Sequence, residues 1–282
     1  MSRLDLHLHT THSDGSLTPT EVLTLAQQAG VTALAITDHD ITSGIPEAIA
    51  AGRHLGIEIV PGVEISSRQG DTEFHILGYC LDWQDARLNE RLAALRDSRH
   101  RRNPQIVERL QSLGIDIHYD EVRALAGTDA VGRPHIARAL MEKQVVTSAR
   151  DAFDRFLAVG KPAYVHRELP SPADAIAWIH DAHGLAVLAH PTWVRASSDR
   201  LFDVVRQLKA DGLDGIEVHY STHSRQQTRE YLSLAKQLGL LVTGGSDFHG
   251  VTKPEIEVGV GKGTLHVPDS LLPKLKEAAA RL

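Results

Sequence analysis

Histidines and carboxylates in this chain gather at the ends of apolar runs, starting with His7-Leu8-His9-Thr10-Thr11-His12-Ser13-Asp14-Gly15. Ahead of it, Arg3-Leu4-Asp5-Leu6 alternates polar and apolar as a strand does. Side chains two apart on a strand share a face, so His7 and His9 present two imidazoles to one cation, with Asp14 in reach of a neighbouring one. Five further apolar runs end the same way, in Asp38-His39-Asp40, Glu64, His190, Glu217/His219 and Asp247/His249, and His75 lies inside a seventh. Such groups are costly to bury unless paired or coordinating. Imidazole and carboxylate without thiolate suit Mn²⁺, Fe²⁺ or Zn²⁺, and argue against a structural zinc site. Several ligand sets imply more than one ion, and the reading is a metal-dependent hydrolase.

These residues need a scaffold that brings distant strand ends together. Thr18-Pro19-Thr20-Glu21 is a helix start with a capping box, and Val22, Leu23, Leu25, Ala26 and Ala29 form an amphipathic stripe ended by Gly30. Short apolar runs then alternate with helical patterns: strand Ala33–Ile36, helix 46–55, strand Ile57–Val60 broken by Pro61-Gly62, then Val63–Ser66 and Phe74–Tyr79. The alternation stops between about 82 and 160, where four helical stretches and no convincing strand are predicted. It resumes with a strand over Ala163–His166, a helix from Pro172, strands at Leu185–Ala189, Gly215–His219 and Leu240–Thr243, and a final helix over about 268–281. This predicts an α/β barrel in two parts, 1–81 and 161–282, with a helical insertion over 82–160. Strand C-termini of a parallel barrel meet at one face.

Composition bounds the partners. At 282 residues and 42% hydrophobic content the chain can bury a large core, and its 17 histidines outnumber its 5 Phe, 5 Tyr and 3 Trp together. A net charge of −6 gives no overall attraction to nucleic acid or anionic membrane. One cysteine, Cys80, excludes an intramolecular disulfide and fits a reducing compartment. No run approaches the length needed to span a bilayer, and no signal peptide opens the chain. The expectation is a soluble, cytoplasmic protein with no obligate protein partner.

Five motifs, His7-x-His9 with Ser13-Asp14-Gly15, Thr37-Asp38-His39-Asp40, Gly62-Val63-Glu64-Ile65-Ser66, Ala189-His190-Pro191 and Gly245-Ser246-Asp247-Phe248-His249, resemble those of the PHP (polymerase and histidinol phosphatase) superfamily, in the family's order. The resemblance implies a distorted (β/α)7 barrel with two or three divalent ions, Mn²⁺ first and Fe²⁺, Zn²⁺ or Mg²⁺ as alternatives. Carried over by position, His7, His9, Glu64 and Asp247 would hold one ion. Glu64, His75 and His190 would hold a second, and Asp14, His39 and His249 a third. Asp38 and Asp40 read as carboxylates that orient ligands from behind.

The insertion narrows the branch. Arg96, Arg99, Arg101 and Arg102 fall within seven residues of a charged helix, and Gly132-Arg133-Pro134-His135 opens another. Both features resemble the PHP branch that contains 3′,5′-nucleoside bisphosphate phosphatases and a 5′→3′ exoribonuclease acting on 5′-monophosphorylated RNA. Arginine offers planar bidentate donors to phosphate, and a helix opening adds backbone N–H groups. The alternative for the charged helix is a solvated face paired with Asp97, Glu90 and Glu108. The resemblance implies hydrolysis of the phosphoester on the 3′ side of a 5′-phosphorylated nucleotide by a metal-bridging hydroxide. Arg99, Arg102, Arg133 and His135 would anchor the 5′-phosphate, and Asp247, His190 and His249 would serve the chemistry, the last two as candidate proton donors to the leaving oxygen. His166 and His223 are candidates for substrate contact. His12, His54, His100, His118, His180, His183 and His266 read as surface or packing residues. Rival readings are a histidinol-phosphate-type phosphomonoesterase, an amidohydrolase acting on C–N bonds, which often uses a carbamylated lysine, and a metal-holding module without activity.

Overall fold

The computed structural model describes residues 3–127, 130–194 and 197–282. Seven strands form one sheet in chain order: β1 (Arg3–Leu8), β2 (Val31–Ile36), β3 (Glu58–Gln69), β4 (Thr72–Tyr79), β5 (Leu185–Leu188), β6 (Gly215–Tyr220) and β7 (Leu241–Gly245). The sheet closes on itself just past β7: Leu8 bridges Phe248 in parallel, His9 N–H donates to Phe248 O at 3.0 Å, and Asp247 N–H donates to His7 O at 2.8 Å. Closure demands close approach. A Cβ on Gly245 would lie 2.4 Å from both Cβ and N of His7, so only glycine fits there.

The barrel is distorted because β4 runs the wrong way. Only Gly70 and Asp71 separate β3 from β4. Two residues can make a hairpin but not a crossover, and Gly70 supplies the positive φ of 59°. β3 and β4 therefore pair antiparallel, as do β4 and β5, while β1–β2, β2–β3, β5–β6 and β6–β7 are parallel.

Helices α1 (Pro19–Gln28) and α2 (Ile45–Leu55) cover β1 and β2, and the capping box at Thr18 and Glu21 forms as expected. β3 is continuous through Pro61-Gly62, where a break was predicted. Proline lacks one ladder donor, but its carbonyl accepts from Cys80 N at 2.9 Å, so pairing survives. After β4 come α3 (Ala86–Ser112), α4 (Tyr119–Ala126), α5 (Arg133–Glu142), the short α6 (Ala149–Ala152) and a π-helical turn over Phe153–Leu157. This stretch has its own buried cluster, including Ile106, Leu110, Ile136, Leu140 and Leu157. The strand expected over Ala163–His166 is absent. β5 already occupies the free edge of β4, and Ala163 and Val165 pack into the helical cluster instead. Helices α7 (Pro172–Asp181), α8 (Ser198–Ala210) and α9 (Arg225–Leu238) pack against the second half of the sheet, and α10 (Leu271–Ala279) sets Leu271 and Leu275 among residues of β1, β2 and β5.

Candidate active site

His7 near the end of β1, His9 just beyond it, Asp14 before α1, His39 after β2, Glu64 on β3, His75 on β4, His190 after β5, and Asp247 and His249 after β7 converge at one end of the barrel. His75 reaches it from mid-strand because antiparallel β4 enters where the parallel strands leave, its register setting it opposite Ser66. Glu64 is central. Its Oε2 lies 3.2 Å from His7 Nε2, 3.1 Å from His9 Nε2 and 3.1 Å from His39 Nδ1. Its Oε1 lies 2.8 Å from His75 Nδ1 and 3.0 Å from His190 Nε2. Asp247 Oδ1 faces His7 Nε2 at 3.5 Å and His9 Nε2 at 3.3 Å, and Asp14 Oδ1 faces His249 Nε2 at 3.3 Å.

The donor set fits cations better than it fits itself. His9 Nε2, Asp14 Oδ1 and His39 Nδ1 are buried with no hydrogen-bond partner, although carboxylates or imidazoles lie close by. Ligand atoms about 2.1 Å from one ion and at right angles to each other sit about 3 Å apart, which is the spacing found here. Burial opposes charge on Glu64, but His39, His7 and His75 override it and hold its carboxyl well below the usual range. Burial likewise opposes charge on Asp247 and is overcome by Lys253, His249 and His7. Burial disfavours protonation of His9, yet Asp247 and Glu64 raise it to about 9. Burial lowers the pKa of His39, His190 and His249, which leaves neutral imidazoles beside ionised carboxylates, the donor set that suits a divalent cation.

Supporting contacts fix the ligands. Glu217 on β6, fully buried, accepts from His7 Nδ1 at 2.9 Å and from His190 N at 2.7 Å. Tyr220 donates to Asp247 Oδ2 at 2.7 Å and Lys253 donates to the same oxygen at 2.5 Å. Asp38 accepts from Thr10 N, Thr10 Oγ1 and Ser13 Oγ, the last 3.5 Å from His9 Nδ1. Asp40 does something else: it accepts from Ser66 N at 2.8 Å and from the guanidinium groups of Arg99 at 2.7 Å and Arg167 at 3.4 Å. Asp40, His190 and Asp247 hold φ values of 57°, 26° and 58°, strain of about 1–3 kcal/mol each that clusters at this one face.

A cavity opens beside the cluster, lined by Asp14, His39, His75 and His249 on one side and by Arg99, Arg102, Arg133 and Arg167 on another. The arginines do not pair with Asp97, Glu90 or Glu108. Arg133 donates to Glu73 at 2.6 Å, Arg68 shares Glu73 at 2.6 Å, and Arg99 and Arg167 share Asp40. Arg102 is buried, and its guanidinium donates to the amide oxygen of Asn103 at 3.2 and 2.7 Å. Burial, and then Arg133, Arg167 and Arg99, depress its pKa well below the ordinary guanidinium value.

Three expected substrate contacts lie outside the cavity lining. His135 is buried at the start of α5, where its Nδ1 accepts from Gly132 N at 3.0 Å, so it shapes the helix opening instead of lining the cavity. His223 packs its ring 5.0 Å from both Tyr220 and Tyr231, with Nδ1 on Val218 O at 2.8 Å. His166 takes a 2.7 Å contact from Arg68. The expected proton donors already make contacts in the cluster, His190 Nε2 with Glu64 and His249 Nδ1 with Asp247 O at 2.9 Å, while His190 Nδ1 is buried without a partner. Sequence reasoning did not single out Glu73, Arg167, Trp193 or Lys253, all of which line the cavity.

A barrel with a buried imidazole–carboxylate cluster at one end and an arginine-lined cavity beside it is the architecture of a metal-dependent phosphoesterase. The chain belongs to the PHP family: the PHP domain matches residues 5–169. It is 35% identical over 283 residues to a 3′,5′-nucleoside bisphosphate phosphatase of Chromobacterium violaceum, covering 100% of this chain and 98% of that protein. It is 36% identical to a 5′-3′ exoribonuclease of Haemophilus influenzae, covering 96% and 97%. A solved structure from Bifidobacterium adolescentis, assigned as a metal-dependent phosphoesterase, superposes with a TM-score of 0.84 at 34% identity, covering 98% and 95%. The expected barrel class and family therefore hold. Among the described residues no helix is long and apolar enough to cross a membrane.

Proposed function

We propose that this chain hydrolyses the phosphoester on the 3′ side of nucleotides that carry a 5′-phosphate, either 3′,5′-bisphosphates such as pAp or short 5′-monophosphorylated RNA. One observation carries the reading. Arg102, a buried guanidinium without a carboxylate partner among the described residues, shares a cavity with a cluster of six histidines and three carboxylates. A buried, unpaired cation calls for an anion, and planar fork donors suit phosphate. The names of the two relatives agree with a substrate that has phosphates on both sides of a ribose.

In this reading His7, His9, Glu64 and Asp247 hold one ion, Glu64, His75 and His190 a second, and Asp14, His39 and His249 a third. Such ions, Mn²⁺ first, would activate a water and neutralise the oxygens of the phosphate under attack. Arg102 and Arg133 grip the 5′-phosphate, so the ribose spans from the arginines to the cluster and only its 3′-phosphate reaches the ligands. Arg99, held by Asp40, closes the cradle beside Ser66. Water adds to phosphorus and the P–O3′ bond breaks. The 3′-oxygen leaves as a hydroxyl on the 5′-nucleotide, and the products are that nucleotide with either phosphate or shortened RNA. Asp247, His190 and His249 serve by holding the cluster: Asp247 Oδ1 faces His7 and His9, His190 Nε2 contacts Glu64, and His249 Nε2 faces Asp14. Glu217 fixes His7 and His190.

The test is a substrate panel with Mn²⁺: pAp, 5′-monophosphorylated RNA, its 5′-hydroxyl counterpart, histidinol phosphate and a generic phosphomonoester. Preference for the first two supports the reading. Equal turnover of the 5′-hydroxyl RNA, or preference for histidinol phosphate, overturns it.

A further inference from the structure

We propose that Trp193 is a stacking platform for the base of the second nucleotide, the one whose phosphate is attacked, and so favours oligonucleotides over mononucleotide bisphosphates. The proposal rests on the function argued above. Trp193 is the large apolar side chain that lines the cavity and still stands half in solvent, at 50% exposure. Leaving that much indole wet forfeits hydrophobic free energy, so packing alone gives no reason for it.

The ring is fixed, not loose. Trp193 sits in the 3₁₀ turn Pro191–Val194 that follows His190, and its backbone N–H donates to His190 O at 2.9 Å. Its indole lies 4.3 Å from the His190 ring at an interplanar angle of 33°, with His75 at 6.1 Å. His190 is itself held by Glu64 and Glu217. The platform is thus preorganised against two of the candidate ligands. Lys253 Nζ stands 5.8 Å from the ring centroid, a cation beside the platform that suits a sugar–phosphate backbone.

The geometry orders the substrate. The arginines take the 5′-phosphate and the cluster takes the scissile phosphate, so the second nucleotide must continue past His75 and His190. Trp193 is the ring waiting on that wall. Aromatic stacking accepts every base, because each has a π-face, so the platform adds affinity without sequence preference. A bisphosphate such as pAp has no second base to place there.

The experiment measures kcat/KM of wild type, Trp193→Ala and Trp193→Phe on pAp and on a 5′-monophosphorylated RNA trimer, with a second trimer that is abasic at position two. The expected result is that Trp193→Ala lowers the trimer-to-pAp ratio about 5- to 150-fold, equivalent to about 1–3 kcal/mol per stacked base. Trp193→Phe retains most of the ratio. The abasic trimer brings wild type down to the alanine variant and is insensitive to the substitution. An equal loss on pAp and trimer, which a purely structural support of His190 would give, overturns the proposal, and so does an unchanged ratio. If wild type hydrolyses neither substrate while turning over the generic phosphomonoester, the underlying function fails and not only the platform.

Discussion

Replacing Glu217 with glutamine tests how the barrel orients His7 for its proposed role as a cation ligand. The Glu217 carboxylate accepts two donors at once, His7 Nδ1 at 2.9 Å and His190 N at 2.7 Å, in a fully buried position. An amide has one acceptor oxygen. The His190 N–H cannot change its role, so the amide oxygen stays with it and the amide NH₂ turns toward His7 Nδ1. That nitrogen must then become an acceptor, and the imidazole proton moves to Nε2. Nε2 is the atom that faces Glu64 at 3.2 Å and Asp247 at 3.5 Å, and a protonated nitrogen cannot ligate. Loss of such an orienting partner costs about 10–100-fold in ion affinity, or about 1.4–2.7 kcal/mol. The assay is calorimetric titration of chelator-stripped protein with Mn²⁺, with circular dichroism and a thermal melt to show that the variant folds. A folded Glu217→Gln protein that binds Mn²⁺ as tightly as wild type would refute the tautomer argument.

Four further outcomes are expected. Arg102→Ala should cost about 10–150-fold in kcat/KM on 5′-phosphorylated substrates, from about 1.5–3 kcal/mol for a charged hydrogen bond, and far less on 5′-hydroxyl RNA. Equal losses on both would remove the anchoring role. His9→Ala and Asp247→Ala should each abolish turnover and reduce bound metal by elemental analysis, and substantial residual activity in either would contradict the ligand assignment. Gly245→Ala forces a Cβ to within 2.4 Å of His7, so calorimetry should register about 3 kcal/mol of destabilisation, or roughly 6–12 °C in Tm. His180 donates to Asp214 at 2.8 Å, and that bond, against partial burial, raises its pKa above 6.5. The stabilisation is fully present below about pH 6.5 and is lost as pH climbs through the raised value. His180→Gln should thus lower Tm more in mildly acidic than in alkaline buffer, and a pH-independent difference would exclude the ion pair.

What could be read from sequence, and what could not, follows from range. His7, Glu64 and Asp247 stood out because each ends an apolar run, and a barrel gathers such ends. Most of the nine residues named as ligands lie together for that reason. His75 was legible only through family resemblance, since its mid-strand position makes sense once the two-residue turn at Gly70 reverses β4. The arginines were visible as a run, but their partners were not: Asp40 and Arg99 lie 59 residues apart, and Glu73 and Arg133 60. A helical repeat reports neighbours at three and four positions, not those. The strand expected at Ala163–His166 failed because alternation records burial on one face, and the helical cluster provided that burial. Lys253 carries no motif, and only the loop after His249 brings its amine to Asp247.

The seam between Leu8 and Phe248 has a consequence for biogenesis. Imidazoles from the first strand and carboxylate from beyond the last meet only when the cylinder shuts, so an incomplete polypeptide emerging from the ribosome owns half a chelator. In the proposed ligand assignment each ion set draws a residue from beyond β5, His190, Asp247 or His249, so ion capture would complete only after both ends have docked. Contacts of such sequence separation are also slow to form, which makes this seam a late step in building the cylinder.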